Sequence, residues 1–226
     1  KENDRYEIHR VTGPDEWHEP VDNNVYTNYL ARWNLRYVTA LTEMLSREYP
    51  QEYTALVEKL GLTEEEIADW DAVAAKVYLP RKEGTQLLEQ FEGYFDLKEA
   101  GIEKYDSNDW PIRPEILNTT KKCETQIIKQ ADVVMLLHLM GQEFDEETTK
   151  LNYSYYEKRT LHGSSLSPSI YSIMGLKVGD DSKAYRYLRR AALIDLVNLQ
   201  GNTREGIHAA NAGGVWQVVV FGFAGV

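Results

Sequence analysis

The chain has 226 residues, enough for one or two domains with a sizeable buried core. A net charge of −11 argues against a nucleic-acid backbone or an anionic membrane as principal partner. The single Cys123 excludes an internal disulfide framework and any cysteine-based zinc cluster, and no apolar run approaches the length of a membrane span, so a cytoplasmic globular protein is expected. The chain carries no initiating Met and ends on an apolar Val218-Val219-Val220-Phe221-Gly222-Phe223-Ala224-Gly225-Val226, so it reads as a piece of something longer.

In chain order, Lys1-Glu2-Asn3-Asp4 is a charged start that caps nothing evident, and Arg5 to Val11 alternates weakly as a short extended segment. A Gly13-Pro14 turn follows, carrying Asp15, Glu16, Trp17, His18 and Glu19 in an irregular loop. Asp22, Asn23 and Asn24 supply N-cap chemistry for a long helix with Tyr26, Tyr29, Leu30, Trp33, Tyr37, Leu41 and Leu45 on one face, stopped by Pro50. Thr63-Glu64-Glu65-Glu66 is a capping box opening a second helix through Val77. The stretch from Gly84 to Leu97 is less regular, and Asp106 to Arg113 is a loop.

Gln126 to Met140 is apolar almost all round and is expected to be a buried helix, interrupted oddly at its start by Lys129, Gln130 and Asp132. Asp145-Glu146-Glu147 opens a further helix. After the polar loop from Thr160 to Pro168, with Ser167 as expected N-cap, comes a short helix over about Ser169 to Gly175. Ser182 is the expected cap of the next helix, and Gly206-Ile207-His208 to Gly213-Gly214 leads into a last apolar segment from Val215. The whole predicts an all-α fold of paired helices with functional residues on loops at one end.

Four clusters could carry chemistry: Asp15 to Glu19, Lys129 to Asp132, His162-Gly163-Ser164-Ser165, and Gly206-Ile207-His208 with Gly213-Gly214. An acid beside an aromatic can keep its proton near neutral pH, which makes Glu16 a candidate general acid. Equally, acids before a helix suit its dipole, Lys129 could be a core lysine paired with Asp132, and the serines could be caps. Glycine- and serine-rich loops at helix N-termini bind small oxyanions. Gly163-Ser164-Ser165 is no nucleophile elbow, and the five histidines show no metal-ligand spacing. The 15 tyrosines could stack on sugar rings or, the better reading for most, simply pack the core.

The run Gly13-Pro14-Asp15-Glu16-Trp17-His18-Glu19-Pro20-Val21-Asp22-Asn23-Asn24-Val25-Tyr26-Thr27-Asn28 closely resembles the catalytic-acid segment of glycoside hydrolase family 65. Lys129-Gln130-Ala131-Asp132-Val133, His162-Gly163-Ser164-Ser165-Leu166-Ser167 and Gly206-Ile207-His208-Ala209-Ala210 look like its later motifs, in the same order. The resemblance implies a fragment, residues 1–226, of a single (α/α)6-barrel catalytic domain, roughly its C-terminal half, without the family's flanking β domains and inactive without the remainder. It implies Glu16 as proton donor, Trp17, Lys129 and Gln130 on the sugar, and His162, Ser164 and Ser165 on phosphate. The implied activity is inverting phosphorolysis of an α-glucosyl disaccharide, with phosphate as co-substrate, no cofactor or metal, and a homodimeric full-length protein. A hydrolase on the same scaffold and a non-catalytic carbohydrate-binding module are the alternatives.

Overall fold

Helix α1, Val25–Glu48, starts where the sequence places it, because the Asn24 side chain accepts the Thr27 N–H at 2.9 Å. The computed structural model describes residues 4–108 and 110–226, so Lys1-Glu2-Asn3 and the Asp109 position of the expected 106–113 loop lie outside the described residues. Among the described residues the regular structure is helical, with no strand. At the expected capping box Thr63 Oγ1 accepts the Glu66 N–H at 3.1 Å and opens α3, Glu64–Lys76. Pro50 does end α1, but it also starts a helix the sequence pattern did not announce. Proline suits the first helical turn, and α2 runs Pro50–Leu60 to a left-handed Gly61 at φ 67°. The aromatic face of α1 is only partly covered. Tyr29 is buried, whereas Trp33 and Tyr37 stack on each other at 5.0 Å on the surface.

Between α3 and the next helix lie more than fifty residues without an α-helix, held by single-turn 3₁₀ segments and isolated pairings. The expected helix over Gln126–Met140 is corrected here. Only Val133–Leu139, α4, is helical. The residues before it run extended: Ile128 N–H donates to Arg159 O and Ile128 O accepts from Leu161 N–H, both at 2.9 Å. An apolar run buried on both sides satisfies either conformation, and here pairing with 159–163 takes the backbone hydrogen bonds of residues 128–129.

The remaining helices are α5 (Glu146–Glu157), α6 (Ser167–Val178), α7 (Asp181–Leu193) and α8 (Ala209–Gln217), the last continued by wide π-helical turns over Val218–Phe223. Several expected boundaries move. Ser167 is the first residue of α6 rather than its cap, α6 extends past Gly175, Asp180 rather than Ser182 caps α7, and the Gly213-Gly214 pair lies inside α8. Helix α6 is the hub, packed by α4, α5, α7 and α8, and its residues from Ser167 to Gly175 are all buried. At Gly175 a Cβ would stand 3.2 Å from Ala184 Cβ, so the missing side chain lets α6 and α7 cross closely. The main core joins Val25, Leu88, Tyr94, Ile128, Val134, Leu137, Tyr156, Tyr171 and Met174. Two of its tyrosines find backbone acceptors: Tyr94 donates to Gln126 O at 2.6 Å and Tyr156 to Leu88 O at 2.7 Å.

Candidate active site

Val11 and Val21 exchange two backbone hydrogen bonds of 2.9 Å, which closes residues 12–20 into a loop at the start of α1. The loop lies tight against the fold at Gly13, where a Cβ would collide with Asn24 Nδ2 and stand 2.7 Å from Asp132 Oδ2. Asp15 and His18 point inward and are buried, while Glu16 points out, its side chain 54% exposed. Across from it, the extended segment before α4 delivers Lys129 and Gln130. Lys129 Nζ meets Glu16 Oε2 at 2.5 Å, and Gln130 Nε2 donates to Glu16 Oε1 at 3.2 Å. Gln130 Oε1 is buried and has no protein partner.

This geometry corrects the expected electrostatics of Glu16. The aromatic beside it in sequence does not surround it, because Trp17 packs on the small cluster of Ile102, Leu117 and Ile127 with the Lys122 ammonium 4.5 Å from its ring centroid. Glu16 instead has its carboxyl held below the ordinary glutamate value, chiefly by the hydrogen bond from Lys129 and then by that from Gln130. Paired in this way it is a carboxylate. Lys129 pairs with Glu16 and not with Asp132, as the core-lysine alternative would have had it.

Asp132 is buried four residues before the middle of α4. It accepts from Asp15 N–H at 3.1 Å and from Asn24 Nδ2 at 3.2 Å. Burial pushes its carboxyl up to about 7, with the nearby Asp15 charge adding to the rise.

Lys129 also touches the serine loop. Gly163 N–H donates to Lys129 O at 2.8 Å, and a Cβ on Gly163 would stand 3.2 Å from Lys129 Cγ. Ser164 and Ser165 follow, half-buried, just before the N-terminus of α6, and Ser164 Oγ accepts the Leu166 N–H at 3.3 Å. His162 does not face outward with them. At φ 52° its ring turns inward, Nδ1 lying 2.9 Å from Ser167 Oγ and Nε2 3.2 Å from Tyr187 OH. Trp110, Tyr171 and Tyr187 enclose it, and burial, then the Arg190 charge, lowers it to about 3. It is a neutral anchor for the loop.

His208 stands at the start of α8 with Nδ1 2.6 Å from Asp195 Oδ1, and α8 packs on the first turns of α6, where a Cβ on Gly214 would reach 2.5 Å from Ser169 Oγ. Beside Glu16 and Trp17 opens a shallow depression of ~530 Å³, lined also by Glu19, Arg113, Lys121 and Lys122. The sequence clusters include Asp15 and Asp132 but give neither a role, and the one signal for Asp132 was a charge placed inside an apolar run. Among the described residues, no group of His, Cys, Asp and Glu could hold a metal ion.

The structure thus joins Glu16, Lys129, Gln130 and the Gly163–Ser165 loop around one lysine. The family model of the glycosyl hydrolase family 65 central catalytic domain matches residues 1–217. Kojibiose phosphorylase of Thermoanaerobacter brockii is 58% identical over 226 residues, covering 100% of this chain and 29% of its own length. Kojibiose phosphorylase of Caldanaerobacter subterraneus subsp. tengcongensis is 55% identical over the same 226 residues, again 29% of its length. The chain therefore spans less than a third of the curated relatives it matches. A solved structure provisionally described as a kojibiose phosphorylase from the human microbiome shares the fold over 100% of this chain and 31% of its own, with TM-score 0.83 at 32% identity. That fits the all-α architecture expected, part of an (α/α)6 barrel. The chain belongs to glycosyl hydrolase family 65, within its central catalytic domain.

Proposed function

We propose that this chain is part of the single (α/α)6-barrel catalytic domain of an inverting disaccharide phosphorylase. The reaction takes an α-glucosyl disaccharide of the kojibiose or maltose type and inorganic phosphate to β-glucose 1-phosphate and the released sugar. Phosphate is the co-substrate and no cofactor takes part. The observation that carries the reading is Lys129, which pairs with the Glu16 carboxylate at its tip and packs its stem on the Gly163 loop. One side chain thereby links the candidate proton donor to the candidate anion site.

The chemistry follows from that link. Phosphate held by Ser164, Ser165 and the α6 N-terminus, in a loop that His162 anchors, draws the Lys129 ammonium toward itself. Glu16 then loses the partner that keeps it ionised, its proton affinity rises, and it takes up the proton it must deliver. A phosphate oxygen bonds to the anomeric carbon from one face while the glycosidic C–O bond breaks on the other, and Glu16 protonates the leaving oxygen. An inverting hydrolase needs a second carboxylate to activate water, whereas phosphate is already a nucleophile, so one carboxylic acid suffices. Gln130 offers its unpartnered Oε1 to a sugar hydroxyl, and Trp17 with the depression beside Glu16 receives the departing sugar.

The test is Glu16→Gln in the full-length enzyme, followed as disaccharide consumption with and without phosphate. Turnover should fall at least about a hundredfold, the scale of general acid catalysis. Cleavage that proceeds equally well without phosphate would sink the phosphorylase reading, and a variant as fast as wild type would sink Glu16 as the acid.

A further inference from the structure

Glu16 is flanked by two residues that never reach solvent, Asp15 at 1% and His18 at 2% exposure. Asp15 Oδ1 accepts the backbone N–H of Lys129 at 2.8 Å and, more weakly, that of Trp17 at 3.4 Å. Its Oδ2 accepts from Gln90 Nε2 at 3.2 Å and meets His18 Nδ1 at 2.5 Å. The other ring nitrogen, His18 Nε2, lies 2.8 Å from Thr125 O, which can only accept, so Nε2 carries a hydrogen. A second proton then sits between Nδ1 and a carboxylate already receiving three N–H donors. Asp15 and His18 are therefore a buried pair bridged by one proton, with every side-chain polar atom engaged.

What the pair holds is specific. The same carboxylate that is one residue from Glu16 grips the main chain of Lys129, 114 positions away, and the Asp15 N–H reaches on to Asp132 at 3.1 Å. We propose that Asp15 is a positioning residue, whose buried carboxyl group fixes the Glu16 turn against the Lys129 backbone and so sets the distance between proton donor and cation, with His18 as its hydrogen-bond partner. This rests on the reading of Glu16 as proton donor. Misplacing a catalytic group by about 1 Å can cost on the order of a hundredfold in rate.

The hydrogen-bond pattern also defines a conservative variant. In Asp15→Asn the amide oxygen keeps the Lys129 N–H, and the amide nitrogen donates to Nδ1 of a neutral His18. Only Gln90 then opposes donor to donor, and turning its amide over brings Oε1, which has no partner, to accept. The charge disappears and the clamp stays. Asp15→Ser removes the clamp.

The experiment measures kcat, KM for phosphate and thermal midpoint in the full-length enzyme for both variants, each with Lys129 intact and with Lys129→Ala. Asp15→Ser should lose kcat by about thirtyfold with Lys129 present and by less than about threefold without it, since a clamp acting on an absent lysine has little left to place. Asp15→Asn should recover activity to within about tenfold of wild type. Losses that multiply in the two backgrounds, or an Asp15→Asn enzyme as slow as Asp15→Ser, overturn the proposal. If Asp15→Ser does not fold, His18→Gln takes its place in the same cycle, and the same two outcomes decide. Glu16→Gln run alongside keeps the two ideas apart. Full turnover in that variant removes the proton-donor reading itself, whereas a dead Glu16→Gln enzyme with multiplying Asp15 and Lys129 losses removes only the clamp.

Discussion

Asp132→Asn exchanges a buried carboxyl for an amide of the same shape, and its effect should depend on pH in a defined direction. Asp132 has an ordinary value of 3.8 and is pushed up to about 7 in the fold. Between those values the folded protein holds a proton that the unfolded chain has released. Its contribution to stability is fully present below about pH 4 and is lost as pH rises through 7. A gap of about three pH units corresponds to roughly 4 kcal/mol of pH-dependent stability from this one group. An amide cannot titrate, yet it can still accept the Asp15 N–H now received by Asp132 Oδ2. The measurement is urea unfolding of both proteins at a series of pH values from 4 to 8. The difference in unfolding free energy, wild type minus variant, should fall steadily across that range and level off above it. Parallel curves would refute the reasoning, because they would mean that Asp132 is already ionised throughout and that burial is not what governs it.

His162 supplies the opposite slope. Lowered from 6.5 to about 3, it is neutral in the fold, so its contribution is fully present above about pH 6.5 and lost as pH falls toward 3, at roughly 1.4 kcal/mol per unit. His162→Gln should flatten the acid limb of the same unfolding series, and an unchanged acid limb would contradict the sequestered ring. Gly13→Ala drives a methyl group into Asn24 and Asp132, and overpacking of that kind costs about 1–3 kcal/mol, read as a lower thermal midpoint. Trp17→Ala removes the ring that Lys122 covers and one wall of the depression beside Glu16. It should raise KM for the disaccharide while leaving the phosphate dependence in place, checked by varying each substrate in turn.

The helices whose ends carry their own chemistry were readable from the sequence. Asn24 and Thr63 cap the helices they precede, and the three- and four-residue spacing from Tyr26 to Leu45 is a helix face. The extended run into α4 was not readable, since Ile127, Ile128 and Ala131 fit a buried helix as well as a buried strand. The misplaced Lys129, Gln130 and Asp132 were the warning, and they are the residues that face Glu16 and Asp15. The motifs singled out Glu16, Lys129 and the serine loop, which the fold brings together around Lys129. They did not give the charge state of Glu16, because its controlling neighbour lies 113 positions away, while its sequence neighbour Trp17 turns elsewhere. The inward ring of His162 was likewise set by residues as distant as Tyr187.

The contacts that join the Glu16 turn to the 129–132 segment span more than a hundred residues: Glu16 to Lys129, Asp15 to Lys129, Asp15 to Asp132 and Asn24 to Asp132, at separations of 113, 114, 117 and 108. A centre built this way has no local precursor. Helices α1 to α3 can form early from nearby contacts, but closing so long a loop is slow and entropically costly. On the ribosome the Glu16 turn must therefore wait for its cation until residues 129–132 have emerged. The same arithmetic runs backward on unfolding. Loosening of the irregular stretch between α3 and α4 separates acid from cation while the helices persist, so catalysis should vanish at lower denaturant than the helical circular dichroism signal.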